Sequence, residues 1–262
     1  LCILLGKRSG YGRTAMLPHN LPMTVLGASI LWFGWFGFNA GSALGANALA
    51  ASAFVVSQAA AAAATVSWVL MEWKFNGKPT VLGAVSGCIA GLVAITPAAG
   101  FVEPLPAIII GLIGGGICYF AVAVLKDKLG YDDSLDAFGI HGIGGTWGSL
   151  ATGLWATTGV NPAGANGLFY GETDLFVAQV ISTVVAYALA IVGTFILFKI
   201  VSAICDVRAD ESEELAGLDI VEHGERGYGR SVVGGTIMGS FEDSSEMLAN
   251  TVMKVNAKGG TI

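Results

Sequence analysis

The sequence predicts an all-α polytopic membrane protein with six transmembrane helices, and three observations lead there. Only 12% of the 262 residues are charged, against roughly 25% in an average soluble domain. Mean hydropathy is +0.69. The few charges are also clustered, so that residues 14–71, 79–102, 104–125, 137–171 and 175–198 carry none. A bilayer core needs roughly 20 apolar residues per helix; the first window holds two spans and each of the others one.

The spans then fall at 22–43, 49–72, 80–97, 105–125, 135–157 and 175–204. Their loops alternate in charge. Lys7, Arg8 and Arg13 precede the first span, Lys74 and Lys78 follow the second, and Lys126 and Lys128 follow the fourth; Lys199, Arg208, Arg226, Arg230, Lys254 and Lys258 lie at or beyond the end of the sixth. The remaining loops have no Lys or Arg. By the positive-inside rule the first group and the tail are cytoplasmic, and losing or adding one span would break the pattern. Residues 1–21 are expected to be the end of a truncated helix and a cytoplasmic loop, 22–204 the membrane domain, 205–230 a cytoplasmic tail and 231–262 a flexible extension, with a short amphipathic helix over 242–255 as the alternative. The chain starts at Leu1 with five apolar residues, too few to span, and is therefore expected to be a fragment.

Glycines at four-residue spacing predict tight packing within the membrane. Gly37, Gly41 and Gly45, then Gly83, Gly87 and Gly91, Gly111 with Gly115, and Gly144 with Gly148 let backbones approach closely where dispersion drives association. The alanine run 59–64 does the same in the second span. Cys2, Cys88, Cys118 and Cys205, with no C-x-x-C pair, are expected to be buried small apolar residues.

Two places carry candidate chemistry. In the first span Trp35, Phe38 and Ser42 share one helical side. They read either as an interfacial aromatic belt or as a vestibule in which ring faces attract a small cation and the hydroxyl accepts its hydrogen bond. His141, the only histidine inside a span, is either a packing residue bonded to a carbonyl or a functional group facing a cavity. A neutral imidazole there offers one donor and one acceptor to ammonia, water or a proton in transit. Asp132, Asp133, Ser134 and Asp136 read as caps at the start of that span. His19 and His223 read as surface residues. A net charge of −6 without basic stripes gives nucleic acid no footing. Neither a metal-ligand pattern, a phosphate loop nor a nucleophile elbow suggests an enzyme or a cofactor.

The stretch Gly34-Trp35-Phe36-Gly37-Phe38-Asn39-Ala40-Gly41-Ser42, residues 90–100 (AGLVAITPAAG), Tyr131-Asp132-Asp133 through Phe138-Gly139-Ile140-His141-Gly142, and Gly217-Leu218-Asp219 with Glu222-His223-Gly224-Glu225 resemble the ammonium transporter (Amt/MEP/Rh) family, in its bacterial and archaeal Amt branch. The resemblance runs from Leu1 to about Tyr228. It implies the second inverted repeat of that fold plus its long last helix, in a homotrimer in the cytoplasmic membrane with the C-terminus inside. Phe38 resembles the inner phenylalanine of the family's gate, Ser42 the hydroxyl of its external ammonium site, Trp35 a pore-lining tryptophan, and His141 the second of the twin pore histidines. Gly217, Leu218, Asp219, His223, Gly224 and Glu225 resemble the tail that contacts PII-type signal proteins. The implied activity is ammonium recruitment outside, deprotonation, and passage of ammonia and proton past the histidines. The first repeat has no counterpart here, so half a pore is expected, with His141 exposed and no conduction by this chain alone. An ammonium-sensing membrane protein and an Rh-type neutral gas channel are the alternatives.

Overall fold

Each predicted span is a helix in the computed structural model, which describes residues 1–14, 16–227, 232–233 and 236–237. After the short α1 (Cys2–Leu5) come α2 (Leu21–Gly41), α3 (Ala48–Asn76), α4 (Val81–Ile95) and α5 (Pro104–Phe120). A π turn, Ala121–Leu125, carries α5 into α6 (Lys126–Leu129); a second, Phe138–Gly142, opens into α7 (Ile143–Trp155), followed by α8 (Asp174–Ser202). The tail forms α9 (Glu211–Ala216) and α10 (Leu218–His223), and a two-residue strand pair joins Val232–Val233 to Thr236–Ile237. The alternative amphipathic helix over 242–255 lies outside the described residues. The chain divides into two units, one of Leu1–Gly6 with Ala15–Phe198 and one of Lys7–Thr14 with Lys199–Ile262.

Caps set the helix starts. Asn20, Asn47 and Thr80 each accept the backbone N–H three residues on, the role their short polar side chains play at an N-cap. Thr80 is itself held by Glu72, a buried carboxylate that accepts its N–H (2.7 Å) and its hydroxyl (2.9 Å).

Four helical runs are long and apolar enough to cross a bilayer: Leu21–Gly41, Ala48–Asn76, Pro104–Leu129 and Asp174–Ser202. Two predicted spans are shorter: the fifth, where α7 has 13 residues after its π turn, and the third, where α4 has 15 residues, about 22 Å of helix. Helix α4 lies among α2, α3, α5 and α7 and buries everything from Gly87 to Ile95. Beyond it the backbone continues in turns, with Ala98 and Ala99 donating to the Ile95 carbonyl. Irregular backbone at membrane depth is tolerated where protein encloses it, so a central helix need not span by itself.

Two apolar clusters form the core. One gathers Trp68, Leu92, Cys118, Tyr119 and Ile140; the other Val56, Ile95, Val102, Ile110 and Ala151. The alanine run of α3 is the seam between α4 and α5. A Cβ built on Gly91 would stand 2.5 Å from the Ala60 carbonyl oxygen, and one on Gly111 2.3 Å from the same atom. The expected close packing thus holds for Gly87 and Gly91, for Gly111 and Gly115, and for Gly144 and Gly148.

It does not hold for α2. Gly37 and Gly41 meet nothing within 4 Å, and Gly45 lies in the loop beyond the helix. Four-residue spacing supplies a smooth face but not a partner for it, and within the described residues this face has none. The cysteines also divide: Cys88 and Cys118 are buried, but Cys2 is half-buried and Cys205 exposed. Cys205 lies just beyond the end of α8.

Helix α8 buries none of its 29 residues. It meets α7 through side-chain hydrogen bonds: Ser149 donates to Gln179 (2.6 Å), Thr183 to Ser149 (3.1 Å), and the hydroxyls of Thr146 and Tyr187 pair at 2.8 Å.

Candidate functional site

Helix α2 presents Trp35, Phe38 and Ser42 along one side, as their spacing requires. The Trp35 and Phe38 rings meet edge to face, with centroids 5.8 Å apart. Ser42, the residue capping the C-terminal end of α2, is exposed and donates its hydroxyl proton to the Phe38 carbonyl, so its oxygen keeps its capacity to accept. On the other flank, Trp35 stacks near-parallel to His141 at 6.4 Å between centroids and 24° between planes. The structure therefore joins three of the four predicted membrane site residues ring to ring, with the fourth one helical turn from Phe38.

His141 is carried on the π turn Phe138–Gly142. A single π turn inside a helical run shifts the register of the turns after it and re-aims their side chains. Asp133 caps this turn, its Oδ2 accepting the Phe138 N–H at 2.7 Å, and Lys126 pairs with Asp136 just before it. Of the acidic residues expected to cap, Asp133 does so, whereas the Asp136 side chain is engaged by Lys126 instead. Gly139 lets the π turn approach the one at Ala121–Leu125, since a Cβ there would fall 2.7 Å from Val122 Cγ2. His141 is exposed.

Behind Trp35 stands a set of polar groups to which spacing and motif alone assign no role. Trp35 Nε1–H donates to Thr96 Oγ1 at 2.8 Å. The Thr96 hydroxyl donates to the Leu92 carbonyl at 2.7 Å, with Asn39 Oδ1 a second acceptor at 3.3 Å. Asn39 Nδ2 donates to Ser57 Oγ at 2.8 Å, and Ser57 in turn to the Ala53 carbonyl at 2.7 Å. Asn39 is the only buried residue of α2. An amide and two hydroxyls in otherwise apolar, uncharged spans are costly unless satisfied, and that was the available signal. By contrast, Trp32 Nε1 is buried without a hydrogen-bond partner among the described residues. No group of three or more His, Cys, Asp or Glu suited to a metal occurs among them.

The predicted tail residues lie in the second unit. Gly217, at φ 96°, separates α9 from α10, and Gly224, at φ 67°, ends α10. Asp219 accepts the N–H groups of Gly227 and Ile220, each at 3.0 Å, and the first of these foremost holds its carboxyl below the usual aspartate value. The Glu225 N–H donates to the Asp219 carbonyl (3.2 Å), whereas Leu218 and His223 are exposed. In the same unit Glu214 accepts the Ser9 N–H at 2.8 Å and pairs with Arg208, whose guanidinium also donates to the Lys7 carbonyl.

Residues 1–228 match the family model described as Ammonium Transporter Family. The chain is 57% identical over 228 residues to an ammonium transporter of Bacillus subtilis, covering 87% of this chain and 56% of that protein. With ammonium transporter Amt1 of Archaeoglobus fulgidus it shares 48% identity over 229 residues, covering 87% and 57%. Its fold is similar to the crystal structure of Saccharomyces cerevisiae Mep2, with a TM-score of 0.70 and 38% identity over 75% of this chain and 46% of that one. A structure titled Sensor Amt Protein gives a TM-score of 0.74 at 29% identity over 84% and 55%. The chain spans about half the length of the curated relatives it matches.

Proposed function

Because the chain belongs to the ammonium transporter family, we propose that it forms one half of a pathway moving ammonium or ammonia across the cytoplasmic membrane. The observation that carries this reading is the run of ring contacts from Phe38 through Trp35 to His141 beside a serine oxygen. Ser42 and the aromatic faces recruit the cation outside, through hydrogen bonding and the ring quadrupole. The cation then loses its proton, because carrying an intact ion through a low dielectric is prohibitive unless the charge is shed or shared. Ammonia and the proton continue past His141, whose neutral ring both donates and accepts. The exposure of His141 supports a path completed by further helices, and the open Gly37–Gly41 face of α2 supports the same reading.

The working assembly in this proposal is a homotrimer with its C-terminus in the cytoplasm, where Gly217, Leu218, Asp219, His223, Gly224 and Glu225 meet a PII-type signal protein. The joining of Lys7–Thr14 and the tail in one unit supports their lying on one side of the membrane, in agreement with the positive-inside assignment. A sensing output is the second reading, favoured by the likeness to Sensor Amt Protein.

Methylammonium uptake by the full gene product tests the proposal. His141→Ala and Ser42→Ala are each expected to cut uptake by at least about tenfold, the loss expected from removing one interaction of about 1.4 kcal/mol. Uptake unaffected by both substitutions would overturn the site, and wild-type binding without uptake would favour sensing.

A further inference from the structure

The polar groups behind Trp35 do not face the proposed path, yet they decide which part of Trp35 does. An indole has one donor, its N–H, and two apolar faces. Thr96 takes that donor at 2.8 Å and passes its own proton to the Leu92 carbonyl. Thr96 is thereby anchored to α4, so the indole of α2 is tied to a different helix, 61 residues away in sequence. Asn39 closes the frame. It stands one turn beyond Trp35 on α2, offers Thr96 a second acceptor, and is itself bonded to Ser57 on α3. Asn39 and Ser57 are 7% and 0% exposed, so these bonds compete with no water. The ring has its edge toward Thr96 and lies near-parallel to the imidazole at 24°.

We infer that Thr96, backed by Asn39 and Ser57, is a positioning residue: it engages the Trp35 N–H so that the wall beside His141 is an apolar ring face and the imidazole is its polar group. The inference rests on the proposed path past His141 for its functional consequence, and on geometry alone for the ring. Without Thr96 the indole donor is orphaned and turns toward whatever acceptor the path offers, and a buried donor left unpaired carries the full desolvation penalty.

The test uses the full gene product with ¹⁵N-labelled indole in lipid, the Trp35 signal being assigned by its loss in Trp35→Phe. Trp32, whose Nε1–H has no hydrogen-bond partner among the described residues, supplies a reference in the same spectrum. Thr96→Val, which keeps the shape and removes the hydroxyl, is expected to move the Trp35 N–H resonance toward that of Trp32. It is also expected to lower the maximal methylammonium uptake rate about tenfold while changing KM less than about twofold. Thr96→Ser should restore the resonance and most of the rate. An unmoved Trp35 resonance in Thr96→Val would overturn the inference whatever transport does, and so would a moved resonance with unchanged uptake kinetics. Wild-type protein that takes up no methylammonium would overturn the proposed function instead, with the ring's anchoring still decided by the resonance.

Discussion

Adding one methyl group at Gly111 should loosen the bundle at the seam between α3 and α5. The new Cβ would lie 2.3 Å from the Ala60 carbonyl oxygen and 2.8 Å from its Cα, whereas ordinary contact begins at 3.4 Å. Relief requires α3 and α5 to part by about an ångström. A gap of that size forfeits roughly a quarter to a half of each contact's dispersion well along the seam. Overpacking of this kind costs about 1–3 kcal/mol, and the better helix propensity of alanine returns at most about 1 kcal/mol. Gly111→Ala should therefore destabilise by up to about 2 kcal/mol, lowering the melting temperature by roughly 2–4 °C per kcal/mol for a protein of this size. Gly193→Ala on α8 meets nothing within 4 Å and should be neutral or slightly stabilising. Thermal unfolding of both variants in detergent makes the comparison. Ala60→Gly should not rescue Gly111→Ala, because the obstacle is backbone and not the Ala60 methyl. Equal melting temperatures for Gly111→Ala and Gly193→Ala would refute the packing argument.

Two further outcomes are expected. Glu72→Ala removes the acceptor of both the Thr80 N–H and its hydroxyl, freeing the cap of α4; a loss of about 1–3 kcal/mol should appear in the same melting assay, and a wild-type melting temperature would contradict it. In the tail unit the Ser9 N–H foremost, with Arg208 assisting, holds the Glu214 carboxyl below the ordinary glutamate value. A depressed folded-state value means the bond contributes fully above the ordinary range and is lost as pH falls through the folded value. The Ser9 amide should be protected from hydrogen exchange at neutral pH, after correction for intrinsic rates, and lose protection only below the ordinary glutamate range. Glu214→Gln should abolish that pH dependence, and unchanged behaviour in the variant would count against the bond.

Much of the site could be read from the sequence because its parts are local. Trp35, Phe38 and Ser42 share a side of one helix by spacing alone, and His141 stands out as the one imidazole in an uncharged span. Thr96 and Asn39 give only the general signal of a polar group in an apolar span, because a hydroxyl or amide there gains a role only when its partner is known, and the partners lie 61 and 18 residues away. The glycine faces failed at α2 for the same kind of reason. The repeat is a property of one helix, but close packing is a property of two.

The sequence by itself determined the all-helical membrane class, the order of the apolar helices and the family, since apolar length, charge position and motif residues are properties of the chain read one segment at a time. Tertiary structure alone decided that α4 is the enclosed helix, that the alanine run of α3 is the seam for Gly91 and Gly111, and that Trp35 turns its edge to Thr96 and stacks on His141. Those outcomes depend on which faces meet across tens of residues. In a bilayer, where lipid satisfies an apolar face as well as another helix does, hydrophobicity does not choose among faces, and shape and hydrogen bonding do.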